Sequence, residues 1–197
     1  DVPGAKQSVI NIGNLSLSRM DADYYPAYVM NYKLGGSFSG VVNLVLREEK
    51  GFTYGARSGF YGSDLAGPFM ASSSVRSTAT LESVEIFKDL MTDYSNGISE
   101  ADLDFTKNAL IKSNAREFET LGALLGVLRS INAYDLEFDY IKKEEDVVNQ
   151  MSLEQHQALA KKYIDPSKMI YVIAGDAASQ MEALKAVGYG NPILYQE

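Results

Sequence analysis

The sequence predicts an α+β fold, a two-layer sandwich in which a mostly antiparallel sheet is covered on one face by helices. Segments with the period-two alternation of strands lie near both ends of the chain, and a long block with helical periodicity lies between them. No internal repeat, low-complexity stretch or linker interrupts the sequence. We count about five strands and seven or eight helices, and we expect residues 1–197 to form a single domain.

The amino-acid composition indicates which broad classes of protein this chain can belong to. Of the 197 residues, 46% are hydrophobic and 22% are charged, which is typical of a soluble globular chain. The net charge of −8, with no basic stripe to offset it, argues against nucleic-acid binding. No apolar run approaches the roughly 18 residues of a membrane span. The absence of cysteine excludes disulfides and thiolate sites.

The chain begins at Asp1 without a methionine, signal peptide or lipidation motif. We therefore expect it to be part of a longer protein whose targeting segment lies upstream. The sequence leaves the compartment open, and the bacterial periplasm or another extracytoplasmic space is a working hypothesis.

The first two predicted elements are a strand and a helix. Residues 8–17 alternate as a strand, and the apolar parity shifts at Gly13-Asn14, which predicts a bulge there. Residues 21–23 offer an N-cap for a helix that runs to the glycine pair Gly35-Gly36. One face of this helix carries Tyr25, Tyr28, Val29 and Tyr32, and no histidine.

The stretch from Leu34 to Phe60 organises the rest of the chain. A glycine turn precedes a short amphipathic helix, which Gly51 should end as a C′ residue. The period then changes to two, and one face of the resulting strand is expected to carry Phe52, Tyr54, Ala56, Ser58 and Phe60. Arg47 leaves the last helical turn and Tyr54 lies near the strand start, so both can reach one corner. Taken alone, they are typical of a solvated helix-end charge and a half-buried tyrosine.

The residues Arg47-Glu48-Glu49-Lys50-Gly51-Phe52-Thr53-Tyr54 resemble the RE-x-x-G-x-x-Y signature of the insulinase/pitrilysin family of zinc metallopeptidases, the inverzincins. The likeness continues through residues 34–40, residues 97–103 with Lys107, and the late strand that ends at Gly175-Asp176. The resemblance implies a protein built from repeated α+β half-domains, one of which carries zinc on H-x-x-E-H. A later half has lost the zinc but keeps an arginine and a tyrosine that reach across to the substrate.

This resemblance implies that the chain is a zinc-free half-domain of the C-terminal type and gives roles to two residues. Tyr54 would donate a hydrogen bond to the scissile carbonyl or oxyanion, and Arg47 would bind the substrate backbone, or the two roles are exchanged. A preorganised donor at an oxyanion stabilises the transition state by about 2.7–4 kcal/mol. The fork of donors on an arginine suits peptide carbonyls.

Residues 62–68 are predicted to turn the chain into a second hairpin strand. Along this strand Phe69, Ala71, Ser73 and Val75 alternate with the residues between them. Serines at positions 72, 73, 74 and 77 give either a polar groove wall or an exposed face. We favour the exposed face, because antiparallel sheets often keep one side solvated.

Helices and a last strand complete the chain. Helical periodicity covers about 81–94, 99–117, 121–131, 140–151 and 152–163, with capping-box patterns at Ser99 and Ser152. Met169–Ala174 is apolar throughout, which favours a central strand buried on both faces. A helix follows Gly175-Asp176, and Pro192–Tyr195 would add an edge strand.

Other chemistries find little support in the sequence. His156 is the one histidine, so the chain lacks an ordinary set of about three zinc ligands. It lies on the apolar side of a predicted helix, which is typical of a packed histidine. The glycines at 35–40 lack the G-K-[ST] of a phosphate loop, and no G-x-S-x-G elbow is present. We therefore expect no cofactor or metal in this chain and, from the resemblance, zinc in a partner half-domain.

The leading hypothesis is the zinc-free half of an insulinase-like metalloendopeptidase, which closes a peptide-enclosing chamber over a zinc-bearing half in the same polypeptide or a partner subunit. Its substrate would be a peptide or a partly unfolded protein, and the isolated chain would be inactive. The alternative is a non-catalytic scaffold or assembly domain, similar to the core subunits of the mitochondrial cytochrome reductase. A third hypothesis, an unrelated α+β binding domain, requires the motif match to be a coincidence.

Overall fold

The computed structural model describes residues 1–195, whose four strands form one antiparallel sheet. The strands are β1 (Gln7–Leu15), β2 (Thr53–Phe60), β3 (Pro68–Arg76) and β4 (Ile170–Ala174), in the spatial order β2-β3-β1-β4. β1 is therefore a central strand, which pairs with β3 on one side and with β4 on the other. The hairpin of β2 and β3 brings β2 to one edge of the sheet.

Eight α-helices are described between residues 1 and 195. They are α1 (Tyr24–Asn31), α2 (Val41–Asn43), α3 (Thr80–Tyr94), α4 (Glu100–Asn114), α5 (Leu121–Tyr134), α6 (Tyr140–Gln150), α7 (Leu153–Tyr163) and α8 (Ala177–Leu184). Wider π-helical turns extend α1 over Tyr32–Gly36 and α2 over Leu44–Glu49. None of these helices is long and apolar enough to cross a membrane.

The helices cover one face of the sheet, which confirms the predicted α+β sandwich. Ile10 and Ile12 of β1 and Phe69 of β3 are fully buried on that face, because alternate residues of a strand share a side. Phe87 of α3 is fully buried in the same core. Each such side chain removed from water contributes about 1.5–3 kcal/mol. The opposite face of the sheet stays open, and Val172 on it is 55% exposed.

Two strand predictions at the C-terminal end of the chain are wrong. β4 lies at an edge of the sheet and not at its centre, with Ile170 69% exposed. A short apolar run carries no signal of strand order, and β1 takes the central place instead. The strand expected at Pro192–Tyr195 does not form, and Ile193 is 92% exposed.

The bulge predicted in β1 is also wrong. β1 pairs with β3 in unbroken register along its whole length. Gly13 is required by a close approach, since a Cβ there would lie 2.1 Å from the carbonyl oxygen of Phe69. The apolar residues change from even to odd positions because the strand ends at Leu15. Leu17 then enters the core from the following loop.

Helix ends follow the predicted chemistry at two places. Ser152 and Gln155 form a reciprocal capping box at the start of α7. Gly51 follows the π-helical turn after α2 with φ +61°, a left-handed conformation that glycine adopts without strain. α5 forms where predicted, but Leu121 and Leu125 of its apolar face are 86% and 47% exposed. Helical periodicity identifies an apolar face without indicating whether the rest of the fold covers it.

Candidate functional site

Tyr54 is turned away from the buried face of β2 by a β-bulge. The pairing of β2 with β3 shifts register between Thr53 and Ala56. Four of the five side chains predicted to share one face are buried, namely Phe52, Ala56, Ser58 and Phe60. Tyr54 is 93% exposed. The predicted shared face is therefore wrong for Tyr54, because the extra residue of a bulge changes the side to which a side chain points.

Two hydroxyl side chains fix the bulge. The Thr53 hydroxyl accepts a hydrogen bond from the Gly55 N–H (3.0 Å) and lies 2.7 Å from the carbonyl oxygen of Ser74. The Ser73 hydroxyl lies 2.9 Å from both Thr53 Oγ1 and the carbonyl oxygen of Gly55. These contacts satisfy polar groups that the strand ladder leaves unpaired at a bulge. The exposed position of Tyr54 is therefore held by specific bonds.

Asn43 joins the bulge to the glycine-rich turn that precedes α2. Its side chain is buried, and its Oδ1 accepts a hydrogen bond from the Ala56 N–H (3.0 Å). Its Nδ2 donates to the carbonyl oxygen of Phe38 (2.8 Å). One buried amide thus contacts the backbone beside both Tyr54 and Phe38, a second exposed aromatic residue.

Side chains of α1 occupy the rest of the outer edge of β2. Asn31 donates from Nδ2 to the carbonyl oxygen of Ser58 (2.9 Å) and accepts from the Ser58 hydroxyl (2.6 Å). The Tyr24 hydroxyl donates to the carbonyl oxygen of Phe60 (3.2 Å). Together with the bond from Asn43, these bonds occupy three backbone groups on the outer edge of β2, namely the Ala56 N–H and the carbonyls of Ser58 and Phe60.

Arg47 lies in the π-helical turn that extends α2. The Lys50 N–H bonds to the carbonyl oxygen of Val45, five residues earlier, at 3.0 Å, and such wide turns recur at functional sites. Arg47 Nη1 lies 2.6 Å from Glu48 Oε1, and its guanidinium carbon lies 4.6 Å from the centre of the Phe38 ring. The cation–π contact with this ring orients the guanidinium at the surface.

Phe38 connects the two predicted site residues. Its ring contacts Arg47, and together with Tyr54 it lines a groove of about 680 Å³ on the open face of the sheet. The structure therefore brings Tyr54 and Phe38 to one groove and places Arg47 against Phe38. Arg47 itself is not among the residues that line the groove, so the predicted common corner of Arg47 and Tyr54 stays a prediction.

The rest of the groove wall is sheet surface that combines polar side chains with the apolar Val9 and Met70. Ser72 and Ser74 of β3 line it, together with Asn11 of β1 and Arg57 of β2. Ser72 and Ser74 point away from the helices and line the groove, so they lie on the open face and also form a groove wall. The expected exposed face is wrong for Ser73, which is buried.

Sequence reasoning missed three residues of this site. Arg57 could have been found, because strict alternation places it opposite the buried side chains of β2. Phe38 lies within the glycine-rich stretch whose likeness to the family was noted. Asn43 gave no local signal, since its partners lie in the turn before it and in the strand after it.

His156 is a packed residue, as predicted. It is 1% exposed, and its Nε2 lies 3.2 Å from both the carbonyl oxygen of Met30 and the hydroxyl of Tyr94. Burial lowers the pKa of His156, because it disfavours the charged imidazolium. Among the side chains that the structure describes, no three of His, Cys, Asp or Glu are grouped so that they could hold a metal ion.

Comparison with known proteins identifies both a family model and solved structures. The model of the peptidase M16 inactive domain matches residues 1–110. The crystal structure of the peptidase M16 inactive domain from Pseudomonas fluorescens is 28% identical, with a TM-score of 0.80 over 88% of this chain. A protease from Helicobacter pylori is 14% identical, with a TM-score of 0.76 over 86% of this chain. A chain of complex III from Candida albicans is 10% identical, with a TM-score of 0.70 over 94% of this chain.

The solved chains are longer than the part of them that is matched. This chain covers 42% of the Pseudomonas fluorescens chain, 41% of the Helicobacter pylori chain and 47% of the Candida albicans chain. A search of curated proteins finds no match.

Proposed function

Since this chain belongs to the peptidase M16 family, the insulinase/pitrilysin family of zinc proteases, as one of its inactive domains, we propose that it closes a peptide-enclosing chamber against a zinc-bearing half-domain. That half lies in the same polypeptide or in a partner subunit. The Pseudomonas fluorescens relative supports this proposal, because this chain covers 42% of its length and the remainder is long enough for a second half.

The observation that carries the proposal is the exposed position of Tyr54 on a rigid support. Its side chain is 93% exposed, although the flanking backbone is fixed by Asn43, Thr53 and Ser73. Phe38 beside it is 68% exposed. Large aromatic side chains gain most when they are buried against a partner. A fixed, solvated pair of this kind is suited to a surface that a second half-domain and a peptide complete.

Tyr54 acts in this proposal as a hydrogen-bond donor to the substrate. Peptide hydrolysis builds negative charge on the carbonyl oxygen, and a phenol O–H aimed at that oxygen stabilises the transition state by about 2.7–4 kcal/mol. The bonds that fix the bulge supply preorganisation, so that little reorientation is needed during the reaction. The phenol donates this hydrogen bond without transferring its proton.

Arg47 acts as the ligand of a substrate backbone carbonyl. Its pair with Glu48 is weak, because both side chains are partly exposed. A guanidinium carries five N–H donors, so one bond to Glu48 leaves others for a peptide. The Phe38 ring fixes the plane of the guanidinium and thereby the direction in which these donors point. The roles of Arg47 and Tyr54 can also be exchanged.

The residues of this chain do not fit a zinc site. The one histidine has its Nε2 beside Met30 and Tyr94 in the core, and the sequence contains no cysteine. Zinc therefore belongs to the proposed partner half, where it would polarise the scissile carbonyl and activate water. The contribution of this chain is to bind and orient the peptide.

The outer edge of β2 is not where a substrate strand would pair. Its edge groups are used by Asn43, Asn31 and Tyr24. An extended peptide would instead add to a sheet edge of the zinc half, and the groove of this chain would cover the peptide from the other side. Unfolded segments and peptides fit this arrangement, because folded proteins rarely offer a free extended strand.

Reconstitution tests the proposal. The complete protein, its zinc-bearing half and this chain are prepared separately, and each is assayed for zinc content and for cleavage of unstructured peptides. We expect zinc in the complete protein and in the zinc-bearing half, and cleavage by the complete protein or by the two halves combined. Full activity of the zinc-bearing half alone would contradict the proposal.

A second candidate function is a non-catalytic scaffold or assembly domain. The fold similarity to a chain of complex III favours it, whereas a scaffold gives no reason for an arginine and an exposed tyrosine at one corner. A complete protein that binds no zinc and cuts no peptide would support the scaffold.

A further inference from the structure

The open face of the sheet carries no acidic side chain, although the chain as a whole is acidic. The sequence contains 26 Asp and Glu against 18 Lys and Arg. The open face consists of the odd-numbered residues of β1, residues 57 and 59 of β2, and the even-numbered residues of β3 and β4. Within these described strands, its charged residues are Arg57 and Arg76, both cationic.

The two arginines differ in their surroundings. The guanidinium of Arg76 lies 4.9 Å from the centre of the Phe52 ring. Arg57 lines the groove, is exposed, and makes no ion pair with any of the carboxylates whose side chains the structure describes. In a protein with a surplus of carboxylates, this leaves the guanidinium of Arg57 available for an anion from outside the chain.

Arg57 is the first of three polar residues that form a row across neighbouring strands. Arg57 is paired in register with Ser72 of β3, and Ser72 is paired with Asn11 of β1. Residues paired across an antiparallel sheet point to the same face, and adjacent strands lie about 4.8 Å apart. The guanidinium of Arg57 can bind both oxygens of a carboxylate in its fork. Ser72 lies one strand spacing from Arg57 and Asn11 lies two, so their hydroxyl and amide extend the polar row across the groove.

We propose that the row Arg57–Ser72–Asn11 binds an acidic side chain of the substrate, so that the assembled peptidase prefers peptides with Asp or Glu near the cleaved bond. This inference rests on the proposed function of Tyr54. Arg57 follows Tyr54 by three residues along β2, and the bulge between Thr53 and Ala56 shortens that path, so the two residues lie at most about 10 Å apart along the strand. An extended peptide covers this distance in two or three residues. The preferred carboxylate therefore lies two or three residues from the bond at which Tyr54 donates.

A matched peptide series tests this preference on the complete protein. Each set of peptides carries Glu, Gln or Lys at one varied position, and separate sets place that position two or three residues before or after the cleaved bond. We expect kcat/KM for the Glu peptide to exceed that for the Gln peptide by about two- to fivefold, the size given by a partly exposed ion pair. The Lys peptide should be the poorest, and the ratio should fall as salt screens the pair.

Variants assign the preference to Arg57. In Arg57→Gln the Glu/Gln ratio should fall to about one, and Arg57→Lys should retain part of it. Arg129→Gln is the matched control, because Arg129 is an exposed arginine on α5 and not in the groove. The control should keep the wild-type ratio.

Two results would overturn the inference alone. Equal cleavage of the Glu and Gln peptides by the wild-type protein would do so, as would a preference that survives in Arg57→Gln. Failure of the wild-type protein to cleave any peptide of the series would overturn the proposed function, and this inference with it.

Discussion

Replacing Asn43 with alanine should destabilise the chain and remove the support beside Phe38 and Tyr54. The buried Ala56 N–H loses its acceptor, at a cost of about 1–3 kcal/mol. The carbonyl of Phe38 is only partly buried, so water replaces its donor and the loss is about 1 kcal/mol. The expected total is about 2–4 kcal/mol. For a chain of this size, each kcal/mol lowers the midpoint temperature by about 2–4 °C, which predicts a fall of about 4–16 °C.

Urea unfolding followed by circular dichroism measures this loss. Asn108→Ala is the matched control, because Asn108 is exposed and its side chain bonds to the carbonyl of Asp104 within α4. The control should change the free energy of unfolding by less than about 0.5 kcal/mol. Peptide cleavage by the complete Asn43→Ala protein should fall as well. An Asn43→Ala variant with wild-type stability and activity would refute the reasoning.

The variant Asn43→Asp tests the geometry of the same bonds through pH. One carboxylate oxygen can still accept from the Ala56 N–H, but the other replaces a donor 2.8 Å from the carbonyl oxygen of Phe38. Burial and this acceptor–acceptor contact should raise the pKa of the new carboxyl group. The folded state then holds the proton more tightly than the unfolded state, so stability should fall as the pH rises from about 4 to 7.

Three further predictions concern stability, and urea unfolding measures each. Burial lowers the pKa of His156 from its ordinary value of 6.5, so the unfolded chain binds a proton at a pH where the folded chain does not. Wild-type stability should therefore fall from pH 6.5 to about pH 5, and His156→Gln should remove this dependence. Gly51→Ala should cost about 1–2 kcal/mol, because φ is +61° there, whereas Gly126→Ala within α5 should be neutral or stabilising. Ser152→Ala should cost about 1 kcal/mol by removing the capping box of α7.

The sequence predicts elements well where the signal is local. Gly51 and the capping box at Ser152 depend on a few neighbouring residues, and both have the expected geometry. The buried alternation of β3 was also predictable from sequence spacing, since period two places Phe69 and Ala71 on one face. The fold class follows from such local signals and from their order along the chain.

Prediction from the sequence fails where the structure depends on pairing between distant segments. The apolar run of β4 gives no indication that it lies at a sheet edge, because strand order depends on distant partners. The bulge at Thr53 depends on hydroxyl contacts with Ser73 and Ser74, which lie across the hairpin. A prediction from strict alternation therefore put Tyr54 on one face with Phe52 and Ala56, which the structure buries. The motif proposes Arg47 and Tyr54 as site residues, and the contact of Arg47 with Phe38 was found only in the fold.

Tyr54→Phe in the complete protein is the most direct test of the account, because the substitution removes one hydroxyl from a side chain that is 93% exposed. The account predicts that kcat for peptide cleavage falls by about 100- to 1,000-fold, the usual effect of losing an oxyanion donor. Zinc content and the midpoint of unfolding should stay at their wild-type values. Wild-type kcat in a Tyr54→Phe protein that is folded and fully loaded with zinc would contradict the account.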